Sequence, residues 1–93
     1  MKLLALLVAA GLLLTPAPAQ ASTAREFARY ASEAAMQDSS PREIRKVCRT
    51  FTRSPYSQTL RVAKAIRNSS PAAESFPLPQ LRLGVRDTLR AWC

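Results

Sequence analysis

The segment Ser40-Pro41-Arg42-Glu43-Ile44-Arg45-Lys46-Val47-Cys48-Arg49-Thr50-Phe51-Thr52-Arg53 leaves its backbone few alternatives to a helix. Ser40 is a natural N-cap, Pro41 suits a first helical turn, and Glu43 completes an S-x-x-E capping box. At about 100° per residue, Ile44, Val47, Cys48 and Phe51 fall within one third of the circumference, at the spacing of a buried stripe. Arg42, Arg45, Lys46, Arg49 and Arg53 gather on the opposite side. One helix therefore carries an apolar stripe, a basic face and one of the chain's two cysteines.

The beginning of the chain reads as a targeting segment. Met1-Lys2 is a charged n-region and Leu3 to Leu14 an apolar h-region. Thr15-Pro16-Ala17-Pro18-Ala19-Gln20-Ala21 follows as a helix-breaking stretch with small residues at −3 and −1. The pattern predicts a signal peptide over residues 1–21, cleaved after Ala21, with Ala19 the competing site. The apolar run is about a dozen residues, short of the roughly 20 that a membrane-spanning helix needs. No cysteine stands at its end to accept a lipid anchor. The expectation is a secreted or periplasmic protein with no transmembrane segment after cleavage.

Cleavage would leave one small domain, residues 22–93, with 13 basic and 6 acidic side chains. A domain of this size buries a modest core and commonly needs a covalent staple. In an oxidising compartment Cys48 and Cys93 are expected to pair. The chain-entropy model gives about 4 kcal/mol for such a loop, comparable to the whole net stability of so small a domain. The competing readings are a bond from Cys93 to a partner chain and two free thiols.

Three further helices are expected. Thr23-Ala24-Arg25-Glu26 repeats the capping pattern and predicts a helix from about Ala24 to Gln37, with Phe27, Tyr30, Ala31, Ala34 and Ala35 on its inner side. Ser54-Pro55 ends the central helix and starts the next, whose inner side is read as Tyr56, Thr59, Leu60, Ala63 and Ile66, with Arg61 and Lys64 outward. Ser70-Pro71 repeats the punctuation without any wider internal repeat. Residues 70–79, rich in proline, predict an extended connector with a helical turn after Pro71, pinned by Phe76 and Leu78.

The last stretch, Gln80 to Cys93, fits two templates. Leu81, Leu83 and Val85 alternate with Arg82, Gly84 and Arg86 as in a strand. As a helix, Leu78, Leu81, Val85, Thr88, Leu89 and Trp92 share a side, beside a row of Arg82, Arg86 and Arg90. The helix covers the whole stretch and is preferred, although it misplaces Leu83 and carries a penalty of about 1 kcal/mol at Gly84. The fold class is all-α: a small bundle of about four short helices stapled by one disulfide.

Several chemistries are disfavoured. The chain has no histidine, which removes the commonest general base and the usual zinc and copper ligands. Glu26 and Glu33 lie seven apart on one helix side, but capping explains Glu26 and solvation beside Arg29 explains Glu33. With two glycines, one of them in the leader, there is no phosphate-cradling loop. No catalytic, cofactor-binding or metal-binding residue is assigned, and an enzyme is not expected.

Charge is the remaining signal. Arginine forks suit phosphate and carboxylate groups, so Arg42, Arg45, Lys46, Arg49 and Arg53 form the candidate anion-binding face. The expected partner is an anionic surface, such as lipid headgroups or an acidic glycan, or an acidic protein. Nucleic acid is not favoured, because the few aromatics suit a core better than a stacking platform. Three functions follow: a non-enzymatic binding or structural protein, which is preferred; a cationic membrane-active peptide; and an exported inhibitor or immunity-type protein.

Overall fold

Four α-helices and a single 3-10 turn make up the described residues, 17–93, of the computed structural model. They are α1 (Ala17–Gln37), α2 (Pro41–Arg53), α3 (Pro55–Ser69), the 3-10 turn Pro71–Ala73, and α4 (Leu78–Trp92). Among the described residues there is no strand, and one disulfide joins Cys48 to Cys93. The all-α, disulfide-stapled bundle expected from the sequence is thus observed. Most of the leader lies outside the described residues. Ala19 and Ala21, the two expected cleavage positions, fall within α1.

The start of α1 differs from expectation. Thr23 sits inside the helix, which extends back to Ala17. Alanine and glutamine are good helix formers, so Ala19-Gln20-Ala21 continues the helix across the cap signal. The C-terminal end is as expected. There the Ser39 hydroxyl donates to Ala35 O at 2.8 Å and the Asp38 amide to Ala34 O at 3.1 Å, satisfying carbonyls that the helix leaves free.

The inner face of α1 is also rotated from the one expected. Ala24, Ala28, Ser32 and Met36 are buried, whereas Tyr30 is 79% exposed and Ala34 and Ala35 are exposed. Phe27 and Ala31 are half-buried. The reason is Gly84 on α4. A Cβ built there would collide with the carbonyl oxygen of Arg25 and lie 2.7 Å from Ala28 Cβ. The two backbones touch at this point, so α1 presents small residues to α4 there, and its aromatic residues Phe27 and Tyr30 turn aside. Phe27, Tyr30, Ala31 and Ala35 line an open groove of about 540 Å³ with Val62 and Ile66 of α3. Phe27 also meets Phe76 edge to face, centroids 5.5 Å apart.

α4 is the centre of the bundle, packed against both α1 and α3. Leu81, Val85, Thr88 and Leu89 are buried, as the helical template requires, and Gly84 is buried with them. The helix begins at Leu78, two residues before the expected start, so the extended part of the connector is shorter than residues 70–79. Between α1 and α4 the buried hydroxyls of Ser32 and Thr88 lie 2.9 Å apart. Each also reaches an α1 carbonyl, Ser32 Oγ donating to Ala28 O at 2.6 Å and Thr88 Oγ1 to Arg29 O at 3.3 Å. These bonds allow two hydroxyls into a core that has little room for larger side chains.

On α3 the buried residues are Gln58, Thr59 and Ala63. Tyr56, expected inside, is 62% exposed and lies under the guanidinium of Arg82, 4.7 Å from ring centroid to Cζ. Ser54 and Ser70 occupy cap positions without a side-chain cap bond, so their prolines carry the helix starts.

Candidate anion-binding face

The start of α2 is built as its sequence dictates. Ser40 Oγ accepts from the Glu43 amide at 3.2 Å, and Glu43 Oε1 accepts from the Ser40 amide at 2.9 Å. Hydrogen bonding to the carboxyl by Ser40, chiefly from its backbone amide and then from its side chain, holds the Glu43 carboxyl below its ordinary value. Glu43 is thereby committed to the cap, although it belongs to the same helix as five cations.

Those five, Arg42, Arg45, Lys46, Arg49 and Arg53, are all exposed. Helical geometry sets them within an arc of about 100° along roughly 16 Å of axis. Among the described residues no ion pair joins any of them to a carboxylate. On the other side Ile44, Val47 and Phe51 are half-buried and pack against the core. No residue of α2 is fully buried. The helix with the cleanest amphipathic pattern therefore lies on the edge of the bundle.

The disulfide anchors this edge. Cys48, half-buried on α2, is joined to exposed Cys93 just beyond α4, with Cα atoms 5.5 Å apart. Both half-cystines line an open groove of about 430 Å³ together with Arg49, Thr52 and Arg53. The sequence placed Cys48 on the apolar side of α2; the fold leaves it half-buried, at the wall of a groove that Arg49 and Arg53 also line. The spacing signal for this groove is Thr52, at i+4 from Cys48 on the same side of α2; Arg49, at i+1, gives none.

Several acids are occupied elsewhere. Asp87 on α4 takes a bidentate contact from Arg25 on α1, at 2.7 Å from Nε and 3.0 Å from Nη2, with Arg86 Nη2 at 4.0 Å. The hydrogen bond from Arg25 is the chief cause that holds the Asp87 carboxyl below its ordinary value. The same contact raises Arg25. Glu33 is not simply solvated beside Arg29. It accepts from Trp92 Nε1 at 2.7 Å, fixing the end of α4 to α1, and from Gln37 Nε2 at 3.4 Å. Glu26 is not a cap residue, since α1 runs past it; it lines a groove of about 480 Å³ with Arg29, Glu33 and Asp87.

Among the described residues no group of three or more histidine, cysteine, aspartate or glutamate side chains is placed to hold a metal ion. No helix there is long and apolar enough to cross a membrane. The fold and its edge define a small disulfide-stapled helical bundle with an exposed basic helix face that no carboxylate pairs among the described residues. The chain matches no known protein family, no curated protein and no solved structure.

Proposed function

We propose that this is a small exported, non-enzymatic protein that acts by contact, gripping an anionic surface or an acidic protein through α2. The observation that carries the reading is the row of Arg42, Arg45, Lys46, Arg49 and Arg53, exposed on one face and free of ion pairs among the described residues. Guanidinium forks along a rigid helix suit repeated phosphate, sulfate or carboxylate groups. The Cys48–Cys93 bond is compatible with an oxidising compartment, in keeping with the leader-like residues 1–21.

Insertion of α2 into a bilayer is the less favoured alternative. Ile44, Val47 and Phe51 already pack on the core, so the helix offers a membrane charge before it offers apolar surface. Co-sedimentation of the oxidised protein with phosphatidylcholine vesicles, with and without phosphatidylglycerol, and retention on a sulfated glycan column test the reading. Binding is expected to require the anionic component and to weaken with salt. Replacing Arg45, Arg49 and Arg53 by glutamine should reduce it by about 100-fold, at roughly 1 kcal/mol for each basic residue near an anionic surface. Equal binding by parent and triple variant, or none by the parent to either anion, refutes the assignment to this face. A helix content that rises sharply on adding anionic vesicles favours insertion instead.

A further inference from the structure

We infer that the Cys48–Cys93 bond is a site of thiol–disulfide exchange that favours anionic low-molecular-weight thiols, with Cys93 Sγ attacked and Cys48 leaving. The two half-cystines line an open groove whose other walls are Arg49, Thr52 and Arg53. Disulfide exchange needs a path for the incoming thiolate, and exposed Cys93 lies on that path more openly than half-buried Cys48. The two charged side chains that line the groove, Arg49 and Arg53, are both positive and act in one direction at each stage, against the weaker negative end of α4 at Cys93. Arginines attract a thiolate that also carries carboxylates, and they stabilise the negative charge that develops on the departing sulfur.

The step balances without another reagent. The thiolate of the incoming molecule donates its electron pair to Cys93 Sγ, forming a mixed disulfide. The Cys48–Cys93 bond breaks, and its electron pair remains on Cys48 Sγ. The incoming sulfur is oxidised to the disulfide level and Cys48 is reduced to a thiolate, which takes a proton from water. Return attack by Cys48 on the mixed disulfide restores the original bond and expels the small thiolate.

The test follows the oxidised protein with glutathione, which bears carboxylates, with neutral 2-mercaptoethanol and with cationic cysteamine. Rate constants per thiolate come from mass spectrometry of quenched samples, and peptide mapping locates the adduct. The ratio of variant to parent rate cancels each thiol's own nucleophilicity. Arg49→Gln with Arg53→Gln should slow glutathione selectively, by about threefold per arginine, the factor Coulomb's law gives for unit charges roughly 7 Å apart in water. Arg49→Lys with Arg53→Lys should keep the preference, and high salt should erase it in the parent. If the glutamine variants fail to fold, the salt dependence of the parent and the site of the adduct decide the matter. The inference is overturned if the three thiols respond alike to the glutamine substitutions and to salt, or if the adduct forms on Cys48.

Discussion

Gly84→Ala isolates the contact that sets the geometry of the bundle. On helix propensity alone the substitution should stabilise α4 by about 1 kcal/mol, because alanine loses less backbone entropy than glycine. The structure reverses the sign. The new methyl would collide with the Arg25 carbonyl oxygen and approach Ala28 Cβ to 2.7 Å, and the first of these is backbone, which no rotamer change can move. Overpacking of a close interface typically costs about 1–3 kcal/mol. Separation of the helices would also stretch the Ser32–Thr88 contact and the Arg25–Asp87 pair. A net loss of about 2 kcal/mol is expected, which for a domain this small lowers Tm by roughly 10 °C. Urea titration of the oxidised protein, followed by circular dichroism, gives the midpoint and slope. Ala28→Gly added to Gly84→Ala should restore only part of the loss, since the Arg25 carbonyl remains. A Gly84→Ala protein as stable as the parent, or more so, would refute the close α1–α4 crossing.

Replacing both Cys48 and Cys93 by serine should cost about 4 kcal/mol on the chain-entropy model. The loss should be uneven: hydrogen exchange by mass spectrometry should show α2 opening first, because none of its residues is fully buried, while α4 stays protected longest. Asp87→Asn should lower stability near neutral pH, and the effect should depend on acid with a defined sign. The folded carboxyl titrates below its ordinary value, so its contribution is complete above the unfolded value of about 3.9. It is lost as pH falls through the lower folded value. Melting temperatures of parent and Asp87→Asn should therefore converge in acid; a constant gap down to the lowest pH would show that Arg25 does not act through the ionised carboxylate.

The sequence was most informative where a residue's role is local. The capping box of Ser40 and Glu43 needs only four consecutive residues, and it forms as written. The Cys48–Cys93 pairing followed from the cysteine count and the expected compartment, and the helical reading of the last stretch from the coverage of its apolar side. Local reasoning failed where a distant backbone decided. Nothing near Tyr30 indicates that Gly84, more than fifty positions away, will favour the face carrying Ala24, Ala28 and Ser32. Of the two aromatic residues expected inside, Phe27 packs half-buried against the core and Tyr30 is left 79% exposed. Arg25–Asp87 and Trp92–Glu33 were equally invisible, since each pairs side chains about sixty residues apart whose own surroundings give no hint of the other.

The same logic explains why the clearest pattern belongs to the edge. A helix touched on one side needs one apolar stripe, and its remaining surface is free to be charged; α2, half-buried along Ile44, Val47 and Phe51, meets that description. A helix that packs against two neighbours must be small or apolar on more than one side, and the periodicity of its sequence blurs. α4 meets both α1 and α3, and its stretch from Leu81 to Arg86 was the one that also resembled a strand. Amphipathic clarity in a small bundle thus marks the helix with most surface left over. On this chain that helix carries five of the cations and one end of the disulfide, so the face most readable from the sequence is also the one most accessible to a partner.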